Sequence, residues 1–185
     1  MAQSISGELV WDKAYQVLFN RESVLGHWLS KKNAIERIGP YLFVHAGISP
    51  KLATMNLSIG HINETVRTSI YKDLLTKPGS DSIANFLMGR EGPLWYRGMV
   101  TDYKQYLKMT TRQFDEVLTY TGAGKIVIGH TVVADINTDH GGRLIKTDIL
   151  HGSLINRGRT KGVFVENKRE FVTDDQGKRS ALGAW

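Results

Sequence analysis

A mixed α/β fold is what this sequence predicts, and three observations point to it. Segments with apolar residues at helical spacing alternate with short β-branched runs through the first two thirds of the chain. Two of those runs, Tyr41-Leu42-Phe43-Val44 and Lys125-Ile126-Val127-Ile128, each lead into a histidine beside glycine. The last third is dominated by strand-like segments, which adds an antiparallel end to the layers. With 185 residues, of which 41% are hydrophobic, the chain is long enough for one sizeable core and short for two, so one domain or part of one is expected.

The elements follow in chain order. Leu9, Val10, Trp11, Ala14, Val17, Leu18 and Phe19 have the spacing of a short helix over residues 9–20, and Ser23 to Leu29 offers a further turn or two. Ala34 to Ile38 and Tyr41 to Val44 read as two strands joined at Gly39-Pro40. From Ser58, the apolar residues Ile59, Ile62, Val66, Ile70 and Leu74 fall at steps of three and four and mark a helix that ends before Lys77-Pro78-Gly79. A shorter helix is expected over Ser82 to Met88, then a glycine-rich loop from Gly89 to Gly98.

Thr110 followed by Gln113 is a capping-box signal, and Phe114, Val117 and Leu118 continue it as a helix to about Tyr120. Strands are then expected at Lys125 to Ile128, Val132 to Ile136, Arg143 to Leu150, and Gly162 to Thr173, the last as a hairpin turning at Asn167-Lys168. The domain divides into a helical lead-in over 1–39, a motif-bearing α/β region over 40–152, and strands with a tail over 153–185.

Composition excludes more than it names. The chain has no cysteine, so disulfides, thiolate metal sites and cysteine nucleophiles are excluded within it, and any metal would rest on His, Asp, Asn or Glu. A net charge of +6 favours anionic partners, but Lys and Arg are spread along the sequence and form no continuous stripe, so nucleic-acid binding is not expected. No run is long enough to cross a bilayer and Met1 to Gly7 carries no leader pattern, from which a cytoplasmic protein is expected.

The chemistry-bearing residues sit where strands end. Val44-His45-Ala46-Gly47 and Ile128-Gly129-His130-Thr131 share one design: a buried strand runs out into an imidazole where glycine lets the backbone turn sharply. Two rings delivered from separate strands could converge on one pocket, and imidazole is a common ligand of first-row metals. Read singly, each is better explained as a structural histidine; as a matched pair, the structural and functional readings stand level. His140-Gly141-Gly142 reads as a hairpin turn, and His27 and His61 as residues on helices.

These residues also carry a resemblance. His45-Ala46-Gly47-Ile48-Ser49-Pro50 after an apolar strand resembles the H-G-G-[IL]-S-P segment of the calcineurin-like metallophosphoesterases, in the branch related to serine/threonine protein phosphatases and their bacterial relatives. Gly129-His130-Thr131 resembles that family's later G-H-T segment, and Gly92-Pro93-Leu94-Trp95-Tyr96-Arg97-Gly98 its P-L-W-x-R segment. The resemblance, over roughly residues 40–152, implies the C-terminal portion of a layered calcineurin-like β-sandwich flanked by helices, acting as a metal-dependent phosphoesterase.

Carried over residue by residue, the resemblance implies that His45 and His130 bind one of two divalent ions (manganese, iron, zinc or magnesium) and that Arg97 contacts the substrate phosphate. It places His151, which follows Ile149-Leu150, near the substrate, and it leaves Trp95 and Tyr96 as packing residues of their loop. Asp135 and Asp148 are candidates to orient a histidine through its second nitrogen. The family's upstream aspartate-rich segments are absent, so the isolated chain is expected to be inactive on its phosphorylated substrate. Exposed sheet faces are expected to be covered by a second copy or by an upstream half-domain. The competing expectation is a non-catalytic interaction or oligomerisation domain built on the same scaffold.

Overall fold

The computed structural model describes residues 14–71, 82–150 and 159–183. The helices are α1 (Val24–Leu29), α2 (Pro50–Thr54), α3 (Ile59–Ser69), α4 (Ser82–Leu87) and α5 (Thr111–Thr121), after a helical turn over 14–18. The strands are β1 (Ile35–Ile38), β2 (Tyr41–Val44), β3 (Lys125–Ile128), β4 (Asn137–Asp139), β5 (Leu144–Lys146), β6 (Lys161–Glu166), β7 (Arg169–Asp174) and β8 (Arg179–Ala181). They form a mixed five-stranded sheet in the order β1-β2-β3-β5-β4 and a separate antiparallel sheet in the order β6-β7-β8.

The parallel centre of the first sheet follows from the sequence pattern. Leu42 and Val44 on β2, Ile126 and Ile128 on β3, and Leu144 on β5 are buried against the helices. Burying each such side chain contributes about 1.5–3 kcal/mol. Alternation sends Tyr41, Phe43, Lys125 and Val127 to the other face, where Phe43 stays 38% exposed. The register pairs Leu42 with Ile126 and Val44 with Ile128, so β2 and β3 end side by side.

Local signals fix the helices that cover this face. Ser58 caps α3 by accepting from His61 N at 3.1 Å, and Ile62, Val66 and Ser69 turn one stripe inward. From the same helix the buried Asn63 accepts from Ala34 N and Ile35 N and donates to Ile35 O, which satisfies part of the edge strand β1. On α5 the capping box at Thr110 and Gln113 forms as expected, and Gly122 ends the helix in the left-handed region at φ +62°. Gly124 N and Lys125 N then both donate to Pro40 O, which seats the start of β3 beside β2.

Several expectations need correcting. The short helix α2 was not foreseen, although Ser49 caps it and Pro50 stands in its first turn, a standard helix start. The strand expected at Val132 to Ile136 falls instead at Asn137–Asp139. Pairing with β5 across the His140 turn sets that position, and it leaves Val132 in a loop, 55% exposed. Only Leu144–Lys146 of the expected 143–150 segment is strand, because beyond Thr147 the chain leaves β3. The hairpin turn at Asn167 and Lys168 is as expected, both residues having positive φ, and β8 adds an unforeseen third strand. Leu74, the turn at 77–79, residues 9–13 of the first helix and His151 lie outside the described residues.

The layered calcineurin-like β-sandwich is not supported. Facing sheets in a sandwich bury their inner rows against each other, yet no described residue of β6, β7 or β8 is fully buried. The second sheet is tied to the first through Glu170, which accepts from Tyr41 Oη at 2.6 Å and pairs with Lys125 Nζ at 2.6 Å. What stands is a mixed α/β fold around a partly parallel sheet.

Candidate phosphate site

The parallel register of β2 and β3 creates the site. It continues one residue past the strands, where Gly129 N donates to His45 O at 2.8 Å, so the two histidine segments leave the sheet together. His130 then turns with φ +62°, a left-handed conformation uncommon for a side chain of its size, and Thr131 N closes back on Gly129 O at 2.7 Å. The result brings His45 Nε2 within 3.1 Å of His130 Nδ1. Ligands of open α/β sheets gather at such carboxyl ends of parallel strands.

A third segment closes over this pair. The loop after α4 is pinned to the β2 end by Ala46 N and Gly47 N, which both donate to Pro93 O. Gly92 is required in it, since a Cβ there would lie 2.0 Å from Leu87 O. Tyr96 is buried, as expected for a packing residue, and a Cβ on Gly98 would lie 2.3 Å from its hydroxyl oxygen. Tyr106 Oη accepts from Arg97 N at 3.0 Å and fixes the backbone between them. Arg97 in turn donates from Nη1 to His130 O at 2.9 Å and lies 3.4 Å from Thr131 Oγ1.

One guanidinium nitrogen is thus committed to the His130 backbone, and the residue as a whole is half-buried next to His130. Burial, then the neighbouring Arg97 cation and then His45, lowers the pKa of His130, against the opposing pull of Asp148. His130 is therefore neutral near neutral pH, and at its contact with His45 one ring donates and the other accepts. Its Nε2 is buried without a hydrogen-bond partner among the described residues. The same holds for His140 Nε2 and Ser69 Oγ, so the unpartnered nitrogen does not by itself mark a site.

The structure brings together His45, His130 and Arg97; His151 lies outside the described residues. Asp135 does not orient a histidine: it accepts from Ile136 N and pairs with Lys161 Nζ at 2.6 Å. Asp148 acts on His130 only through its charge. His140 occupies the β4–β5 turn and stacks on Phe114 at 4.3 Å between ring centroids, a packing role. Trp95, expected to pack its loop, is 52% exposed and stands at 89° to the His130 ring at 5.4 Å, so it borders the site.

A groove of about 310 Å³ runs from His45 along the uncovered face of the sheet, lined by Phe43, Leu94, Val127 and Thr147. Among the described residues no helix is long and apolar enough to cross a membrane.

The fold is similar to that of solved phosphatase structures. The structural neighbours include a cold-active protein-tyrosine phosphatase of the psychrophile Shewanella sp. and a point mutant of a cold-active protein tyrosine phosphatase. Each is 26% identical with a TM-score of 0.78, covering 91% of this chain and 48% of the neighbour. The chain therefore spans about half the length of the solved structures it matches. No family model and no curated protein matches the sequence.

These findings correct the expected family. The neighbours are named protein-tyrosine phosphatases, not calcineurin-like metallophosphoesterases, and among the described residues no group of three or more His, Cys, Asp or Glu could hold a metal ion. His45 and His130 supply two ligands, where a metal centre of this kind draws three or more from the protein. The residues present do not fit the divalent manganese, iron, zinc or magnesium ions that the resemblance implied. A metal-dependent mechanism is therefore not supported by the described residues of this chain.

Proposed function

We propose that this chain forms the phosphate-recognition side of a phosphatase acting on phosphorylated protein, with phosphotyrosine as the substrate group. One observation carries the reading: Arg97 is held by its own backbone and by the His130 carbonyl so that its guanidinium stands next to His130, whose ring meets that of His45. A guanidinium offers paired donors to phosphate oxygens and keeps its charge throughout the physiological range. His45, the exposed member of the pair, donates to a further oxygen when its ring carries the proton. The likeness to structures named protein-tyrosine phosphatases supports the substrate class.

Recognition and turnover are separate in this reading. The described residues beside Arg97, His45 and His130 include no carboxylate or thiol in contact with them to attack phosphorus, and the chain matches about half of each neighbour. The chain on its own binds phosphate with little hydrolysis, and the remainder of the fold supplies the attacking group. Calorimetric titration of the 185-residue chain with inorganic phosphate, in the presence of a chelator, tests this. Arg97→Ala weakens binding at least tenfold if the reading holds; equal binding by wild type and variant, or binding abolished by the chelator, overturns it.

The apolar groove over Phe43 and Val127 favours a second reading, a scaffold whose bare sheet face joins a second copy or a complementary half-domain. Light scattering on the purified chain tests that reading, since a monomer across a wide concentration range contradicts self-association.

A further inference from the structure

The geometry points to Trp95 as the residue that selects aromatic phosphate esters over aliphatic ones, by presenting an indole face to the ring that carries the phosphate. This inference rests on the phosphate site described above and adds the identity of the group beyond the ester oxygen.

The argument starts from placement. Within Leu94-Trp95-Tyr96-Arg97, Tyr96 is buried in the core and Arg97 is tied to the His130 carbonyl, whereas Trp95 is 52% exposed. An indole is among the costliest side chains to leave in water, and a rigid exposed one beside a polar site is a common form of recognition surface. The backbone beneath it is fixed: Trp95 N and Tyr96 N both donate to Gly92 O at 3.1 Å, and Pro93 O accepts from Ala46 and Gly47.

The ring direction is set as well. Trp95 meets His130 at an interplanar angle of 89° with centroids 5.4 Å apart, and His130 O is the atom that holds Arg97. Arg97 and Trp95 thus both meet His130, one at its carbonyl and the other at its ring, which puts an exposed indole next to the residue that anchors the guanidinium. A phenyl group on a phosphate bound by Arg97 meets Trp95 in stacked or edge-on contact; a short alkyl chain leaves that surface wet. Aromatic pairs of this kind favour association by about three- to tenfold beyond simple burial.

The test compares phenyl phosphate, ethyl phosphate and inorganic phosphate as ligands of the whole chain, by calorimetry or by displacement. Wild type binds phenyl phosphate about three- to tenfold more tightly than ethyl phosphate. In Trp95→Ala that ratio falls to about one while the affinity for inorganic phosphate is retained, and Trp95→Phe restores most of the preference. Retained inorganic phosphate binding also shows that the alanine variant is folded. A ratio unchanged in Trp95→Ala overturns the inference, as does a ratio that responds to Phe43→Ala instead, which would place the ring in the sheet-face groove. Failure of Arg97→Ala to weaken inorganic phosphate is a different result and sinks the underlying phosphate site.

Discussion

The two sheets of this molecule are built to different standards. The five-stranded sheet has one face sealed by helices, with Leu42, Ile126 and Leu144 wholly inaccessible, and two of its three parallel strands, β2 and β3, end in the candidate site. The three-stranded sheet has no fully buried residue and is held to its neighbour through the Glu170 cluster with Tyr41 and Lys125. Hydrophobic burial is non-directional and strong, whereas a few partly wet polar contacts are directional and weak. Stability should therefore concentrate in the first sheet, and the second should open at lower cost.

The largest effect expected from this contrast is that of Phe114→Ala. Phe114 is fully buried under the first sheet and stacks on His140, so its truncation costs about 3–5 kcal/mol in chemical denaturation. A loss no larger than that of truncating Phe164 on β6, which is only half-buried, would erase the distinction. Asn63→Ala comes next. It removes three hydrogen bonds to the β1 edge from a buried position and should cost about 2–3 kcal/mol, with hydrogen exchange speeding up first at Ala34 and Ile35.

Glu170→Gln probes the weaker sheet. Lys125 is a third exposed, so the change should cost only about 1 kcal/mol globally, yet raise exchange throughout β6 and β7. Burial pushes the Glu170 carboxyl up, but bonds from Lys125 and Tyr41 outweigh it and hold the pKa below the usual carboxylate range. A carboxyl lowered in the folded state stabilises above its ordinary pKa of 4.5, and that contribution fades as pH falls through the folded value. Detachment of the second sheet should thus precede global acid unfolding.

The smallest effect concerns His130. Burial lowers its pKa, so between the folded value and the ordinary 6.5 the unfolded chain binds more protons than the folded one. Stability therefore declines as pH falls through 6.5 toward the folded value. His130→Gln flattens this slope without removing it, because half-buried His140 shifts in the same direction. A variant as acid-sensitive as wild type would show that His130 is not shielded in this way.

Much of the first sheet was legible because its signals are local. Ser58 and Thr110 are side-chain caps, Tyr41 to Val44 and Lys125 to Ile128 are short apolar runs between turn signals, and each segment nearly decides its own conformation. The convergence of His45 and His130 was readable from their shared strand-end pattern. What was not legible depends on long-range register. Val132 and Val133 have high strand propensity, but pairing around the His140 turn chose Asn137–Asp139 over them. The exposure of Trp95 depends on where its loop docks against Ala46 and Gly47, which spacing along the chain does not encode. The short motifs around His45, Arg97 and His130 pointed to phosphate chemistry while suggesting a metal centre that these residues do not complete.

The most direct test of the phosphate site is crystallisation of the chain with tungstate, a phosphate mimic located by its anomalous scattering. The account predicts one oxyanion within hydrogen-bond distance of the Arg97 guanidinium and facing His45, lost in Arg97→Ala. Tungstate bound only elsewhere, such as in the basic pocket of Arg21, Lys31 and Arg67, with nothing at Arg97, would contradict it.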